Sequence, residues 1–134
     1  MSGLVLKLGP KERVLVNGAV IENGDRRSRL AIMTPDAKIL RLRDAIHPED
    51  AKTPVRRALF AVQLVLSGDK DAESAHLPLL RQVEELGQVF TDADSRQMLA
   101  EASQAIIERQ HYRTLKALRA LLPREGRLMA VRPN

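Results

Sequence analysis

The sequence predicts an α+β protein, with an N-terminal five-stranded antiparallel β module followed by a C-terminal helical bundle of about four helices. Three observations carry that expectation. Residues 1–43 alternate apolar and polar side chains in short runs, separated by turns built from Gly, Asn and Pro. From Pro54 onward the apolar residues recur at helical spacing. Thr53-Pro54 marks the change, since threonine caps helix starts well and proline fits the first helical position. The domain organisation expected is 1–45 as a basic β module, 46–122 as a helical module packed with it as one domain, and 123–134 as a flexible basic tail.

The first strand, Leu4-Val5-Leu6-Lys7-Leu8, places Leu4, Leu6 and Leu8 on one face and Lys7 on the other, and Gly9-Pro10 ends it. Arg13-Val14-Leu15-Val16 is apolar on both faces beyond Arg13, which suits a strand covered on both sides. Asn17-Gly18 is a strong hairpin signal, because both residues tolerate the positive φ of a type I′ turn. Ala19 to Glu22 is the return strand, and Asn23-Gly24-Asp25 has the chemistry of a second such turn. Arg27 and Arg29 fall opposite Ser28, Leu30 and Ile32. Thr34-Pro35-Asp36 makes a third turn. In Lys38 to Arg43, Leu40 and Leu42 share one face while Arg41 and Arg43 share the other. About 40 residues cannot bury a self-sufficient core. The sheet must therefore pack on the helices or on a second copy of itself.

The first helix runs from Val55 to Ser67 and stops at Gly68. It is apolar nearly all round, so it is either the core helix or part of a subunit interface. Val14, Val16, Leu59, Val62 and Leu66 are the candidate oligomer or partner interface. The second helix covers Ala72 to Val89, with Leu79, Val83, Leu86 and Phe90 inward and a kink or restart expected at Pro78. Thr91 with Asp94 resembles a capping box for a third helix, which turns Met98, Leu99, Ala102, Ala105 and Ile106 inward. A break is expected near Gln110, although no strong breaker forbids a continuous helix, and the last helix is expected to end at Leu122.

The 134 residues carry a formal net charge of +5, unevenly spread. Residues 1–57 hold twelve Lys+Arg against seven Asp+Glu, 58–110 four against nine, and 111–134 six against one. A basic head and tail around an acidic middle imply a polyanionic partner, or complementarity within the chain. The chain has no cysteine, which excludes disulfides, thiolate metal sites and cysteine nucleophiles. No apolar run approaches the ~20 residues that span a bilayer, and no signal peptide is evident, so the expected location is cytoplasmic, with no membrane partner.

No Gly-rich phosphate loop, HExxH or GxSxG is present, and His47, His76 and His111 lack metal-ligand spacing, each fitting a solvent-exposed or satisfied role. The expectation is a protein that is not an enzyme, with no catalytic residues, no metal and no cofactor. The arginine pattern remains. Lys7, Arg27, Arg29, Arg41 and Arg43 oppose apolar in-facing residues, and guanidinium forks bind phosphate bidentately. Phe60, Phe90 and Tyr112 all lie outside the β module, so base stacking cannot carry recognition there. A solvated basic face, an RNA partner, and a protein or DNA partner all fit this pattern.

Leu4-Val5-Leu6-Lys7-Leu8-Gly9-Pro10, Val16-Asn17-Gly18-Ala19-Val20-Ile21, Ile32-Met33-Thr34-Pro35 and Thr53-Pro54-Val55-Arg56-Arg57 together resemble the flagellum biosynthesis repressor family, FlbT. The similarity spans essentially the whole chain, including Lys116 to Leu122. The resemblance implies a post-transcriptional repressor in flagellum biogenesis, associating with the 5′ untranslated leader of flagellin mRNA and promoting its degradation. Some members of that family act as activators. It also implies flagellin and the small flagellar regulator FlaF as partners. The β module alone is similar to the carbon storage regulator family, β-rich dimers that bind mRNA leaders through their first and last strands. That analogy implies a homo-oligomer, dimer or higher, and RNA contact by Lys7, Arg41 and Arg43. With the remaining basic residues of the module, the candidate RNA-binding set is Lys7, Arg13, Arg26, Arg27, Arg29, Arg41 and Arg43. The competing expectation is a protein–protein adaptor that binds flagellin or another flagellar regulatory or export protein.

Overall fold

The computed structural model describes residues 4–35 and 37–131. Five strands come first: β1 (Leu4–Leu8), β2 (Arg13–Val16), β3 (Ala19–Glu22), β4 (Ser28–Ile32) and β5 (Ile39–Arg41). Two 3₁₀ turns, Leu42–Asp44 and Pro48–Asp50, lead to five helices: α1 (Pro54–Ser67), α2 (Ala72–Val89), α3 (Ala93–Ile107), α4 (His111–Arg119) and α5 (Leu122–Val131).

The strands form two small antiparallel sheets rather than the single five-stranded module expected. One is the ribbon β1-β4, and the other has the order β3-β2-β5. The physical reason lies in the two Asn-Gly turns. At Asn17-Gly18 both residues have positive φ, 49° and 86°, and the chain turns tightly from β2 into β3. Gly24 has no positive φ, so the second turn is not of that kind. Instead the Asn23 side chain organises a wider loop. Its Nδ2 donates to the carbonyls of Gly9 (2.7 Å) and Arg26 (2.9 Å), and its Oδ1 accepts from Ser28 Oγ (2.7 Å). The chain is thereby carried across to β1, and β4 pairs there with Leu6 opposite Leu30 and Lys7 opposite Arg29. β5 is shorter than expected. The backbone turns into the 3₁₀ segment after Arg41, which leaves Leu42 exposed while Leu40 is buried. Asp36, the last residue of the expected third turn, lies outside the described residues.

The first three helices each start on a polar cap. Thr53 Oγ1 accepts from Arg56 N, Asp71 Oδ2 from Ser74 N, and Asp92 Oδ2 from Ser95 N. The cap of α3 is therefore Asp92 rather than Thr91. Gly68, at φ 88°, ends α1 as a left-handed cap. α2 runs through Pro78 without a break. The carbonyl that loses its partner there belongs to Ser74, which is exposed, so water can satisfy it. Arg109, at φ 61°, ends the α3 segment, and the chain restarts as α4.

The main core joins α1 to α4, with Val55, Leu59, Val62, Leu79, Phe90, Ile106 and Leu118 fully buried, and Leu40 reaching in from β5. A smaller cluster of Leu6, Leu8, Val14 and Ile39 lies between the two sheets, with Tyr112 of α4 packed against it. Of the two roles open to the first helix, the core role is the one observed. Val14, Leu59, Val62 and Leu66 are at most 2% exposed within this single chain, so they offer no surface to a partner, and Val16 is half-buried beside the smaller cluster.

Residues 122–131 form a helix, not the flexible tail expected. Glu125 anchors it. Buried at 5% exposure, its carboxylate accepts from Val55 N (2.9 Å) and Thr53 Oγ1 (2.5 Å). It satisfies an orphan amide at the start of α1 and places negative charge at the positive end of that helix. Arg124 beside it pairs with Asp92 (3.1 Å), so part of the basic tail is neutralised by the acidic middle. Replacing Glu125 by alanine is expected to lower stability by about 1–3 kcal/mol, because a buried donor loses its acceptor. Urea denaturation of the full chain checks this.

Candidate nucleic-acid interface

The β1-β4 ribbon carries the charged face. Alternation buries Leu6 and Leu8 and turns Lys7 outward, and the antiparallel register sets Arg29 directly opposite Lys7. Like charges facing across a ladder repel, and no carboxylate of the described residues forms an ion pair with either of this pair. Lys7, Arg27 and Arg29 make no ion pair with any described residue, and all three are exposed. Together with Gly9, Pro10, Ser28 and Arg43 they line an open cleft of about 450 Å³, and no acidic residue is among its described walls.

The structure sorts the seven expected contact residues. Lys7, Arg27, Arg29 and Arg43 come together at the cleft. Arg26 is exposed on the loop nearby but does not line the cleft. Arg13 lies on another sheet and pairs with Glu22 at 2.8 Å. Arg41 is engaged inside the molecule. Its side chain is 11% exposed, and Nε and Nη2 meet the two carboxylate oxygens of Glu12 at 2.7 and 3.0 Å. Nη2 also donates to the Lys7 carbonyl. Glu12 further accepts from Gly9 N at 3.0 Å and stands 3.5 Å from Arg43 Nε. The Arg41 hydrogen bonds above all, with the Gly9 amide and the charges of Arg41 and Arg43, hold Glu12 down to a pKa of about 2 against the opposing effect of desolvation. Arg41 thus positions the cleft rather than facing it.

Two contributors escaped sequence reasoning. Glu12 was visible only as an acid within a basic module, and Asn23 only as a turn residue. Neither carries a motif that announces its partners, which lie up to 29 residues away for Glu12.

The histidines differ among themselves. His47 Nδ1 accepts from Glu49 N at 3.2 Å and caps its own short turn, while His76 meets the Arg109 guanidinium. His111 departs from the exposed or satisfied role expected of it. It is 8% exposed, and its Nε2 has no hydrogen-bond partner. Burial first, then the charges of Lys38, Arg109 and His76, lower its pKa. Among the described residues no cluster of three His, Asp or Glu is placed to hold a metal ion, and no helix is long and apolar enough to cross a membrane.

The profile of the family described as "Flagellar protein FlbT" matches residues 4–129. The chain belongs to the FlbT family. The FlbT relatives include a protein named "Probable flagellum biosynthesis repressor protein FlbT" from Caulobacter sp. (strain K31), 32% identical over 122 residues, covering 91% of this chain and 92% of that protein. The corresponding protein of Brucella anthropi is 32% identical over 126 residues, 94% of this chain and 82% of its own length. That of Brucella abortus (strain S19) is 31% identical over 128 residues, covering 96% and 83%. No solved structure matches the chain.

Arg41→Ala and Glu12→Gln are each expected to destabilise the fold by about 1–3 kcal/mol at neutral pH, since each leaves the other's charge partly buried without its partner. Chemical denaturation measures this. His111 adds a pH dependence. Its folded pKa lies below the unfolded 6.5, so the unfolded chain binds the proton more readily and stability falls as pH drops through that range. His111→Phe is expected to flatten the stability slope between about pH 7.5 and 5.5. Glu12 does not interfere there, because its contribution is lost only below the ordinary carboxylate range, as pH falls toward about 2.

Proposed function

We propose that this FlbT-family protein represses flagellin expression post-transcriptionally, by binding the 5′ untranslated leader of flagellin mRNA at the Lys7–Arg29 cleft and promoting degradation of that message. One observation carries the proposal. Four cations line one open cleft, three of them, Lys7, Arg27 and Arg29, without an ion pair to any described residue, and Lys7 and Arg29 face each other directly across a strand pair. A row of phosphates would relieve that repulsion. Arginine forks and the Gly9-Pro10 backbone suit the phosphate path and shape of a folded leader, and no aromatic lines this cleft to stack bases. The names of the relatives, flagellum biosynthesis repressors, fit the same role.

The cytoplasm is the compartment this role requires. FlaF, flagellin and a second copy of the chain are the protein partners that accompany it. The adaptor alternative drew on the all-apolar first helix. That helix is core, so the alternative no longer has the feature that motivated it.

Mobility-shift titration with the flagellin leader tests the proposal. With four phosphate contacts, log K is expected to fall against log salt with a slope of about −3, taking ~0.7 per single-strand contact. The Lys7→Ala, Arg29→Ala double variant is expected to weaken binding and to reduce the slope by about half. Arg13→Ala serves as a control that also removes a β-module cation and should change little. Leader binding that is unchanged in the double variant would remove the cleft from the mechanism.

A further inference from the structure

The basic cleft is bounded by Arg43, which sits on the 3₁₀ turn Leu42–Asp44. Two contacts lay that turn along α4. Before it, the Arg41 guanidinium meets the Tyr112 hydroxyl, which helps to hold its charge. At its end, Arg119 Nη1 donates to the Asp44 carbonyl at 3.3 Å, and Arg119 Nε stands 3.7 Å from the Asp44 carboxylate. Tyr112 and Arg119 are two helical turns apart and share one face of α4. Lys116, one turn from each, lies on the same face between the two contacts. The turn that carries Arg43 is thereby set beside the stretch of α4 that carries Lys116.

Lys116 differs from the other cations of α4. Arg113 pairs with Glu108 at 2.8 Å, and Arg119 pairs with Asp44. Lys116 is exposed and forms no ion pair with a described residue. Its ammonium stands 5.7 Å from the centre of the Tyr112 ring, a cation–π distance. The ring itself packs on the small core cluster, so it gives the flexible lysine stem a fixed resting place. The carboxylates of this seam are engaged within the fold. Glu12 is held by Arg41 and Asp44 by Arg119, with their side chains 8% and 18% exposed. What the seam presents to solvent is therefore positive, with Arg43 on the strand side and Lys116 on the helix side.

We propose that the phosphate path of the RNA continues out of the cleft, over Arg43 and across the seam between strands and helices, to Lys116, which makes the next phosphate contact. This extension rests on the RNA reading of the cleft. Lys116 leaves the Tyr112 ring for the phosphate, exchanging a weak exposed contact for a charge-assisted hydrogen bond. A contact of this kind adds affinity and orientation and reads no base. An acidic peptide is the other polyanion that such a row could meet. Continuity favours RNA, because phosphates recur along an extended strand, and the row runs from Lys7 and Arg29 through Arg43 to Lys116 over two layers of the fold. The helical module thereby shares in binding that the sequence pattern assigned to the strands alone.

Mobility-shift titration of the full chain with the flagellin leader separates this inference from the one it rests on. With Lys116 as a fifth contact, log K is expected to fall against log salt with a slope of about −3.5, taking ~0.7 per single-strand contact, and Lys116→Ala should bring the slope back to about −3. The same variant is expected to bind about two- to five-fold more weakly, the scale of one exposed ion pair. Arg81→Ala removes an exposed cation of α2, which lies across α1 and α3 from α4, and should leave slope and affinity unchanged. The chain has no cysteine, so Lys116→Cys introduces a single thiol. Carrying a benzophenone, that thiol is expected to crosslink to the leader, whereas one at Arg81→Cys is not. An unchanged slope and affinity in Lys116→Ala, with binding weakened in the Lys7→Ala, Arg29→Ala double variant, overturns the extension and leaves the cleft. Unchanged binding in the double variant overturns both. Equal losses in Lys116→Ala and Arg81→Ala, or no crosslink from Lys116→Cys, overturn the extension as well. Polyglutamate that binds as tightly as the leader, and loses as much in Lys116→Ala, gives the row to an acidic protein and overturns it too.

Discussion

The arrangement of the β module depends on the pairing of Glu12 with Arg41. One carboxylate gathers the Gly9 amide from the turn after β1 and the guanidinium from the end of β5, and the same guanidinium closes on the Lys7 carbonyl. Neither partner of this pair is in free contact with water, each side chain being about one-tenth exposed. Their attraction is therefore screened less than that of a surface pair. Two sheets too small to be stable alone are joined at this point, since β1 belongs to one and β5 to the other. The backbone that presents Lys7 is fixed by the same contact.

This division of labour explains why net charge is a poor guide to the surface. The arginines of the module are alike in sequence and unlike in place. Arg13 and Arg41 are matched by Glu22 and Glu12 within the fold, while Arg27 and Arg29 are left unmatched on the ribbon. Arg124 and Arg119 are likewise matched, by Asp92 and Asp44. The basic C-terminal stretch and the acidic middle thus partly complement each other through Arg124 and Asp92, while the N-terminal arginines find their partners within the β module. Among the unmatched cations, Lys7 and Arg29 face each other directly.

Local signals were legible and distant pairings were not. Thr53-Pro54, Gly68 and Asn17-Gly18 each determine their own backbone, and α1, its end and the β2-β3 hairpin fall where those residues place them. Strand extents were readable for the same reason, through period-two alternation. The partner of β4 was not, because Asn23 acts through a side chain that bridges to Gly9, 14 residues away. α5 was read as a loose tail because its weight of charge is apparent in sequence, whereas the single buried carboxylate that docks it is not. In the site, alternation brought Lys7 and Arg29 to notice. It could not separate them from Arg41, which lies on an equally alternating strand but faces Glu12.

The bond from Glu125 to the start of α1 closes a loop of 70 residues. Its meaning is temporal as well as structural. On the ribosome, α1 can coil as soon as it emerges, yet its first turn lacks its last acceptor until residue 125 has been made. The strands of the N-terminal ribbon and its neighbouring sheet all lie within the first 41 residues, but the small cluster between them is covered only when Tyr112 of α4 packs against it. Both layers therefore wait for the second half of the chain, the strands for residue 112 and the first helix for residue 125.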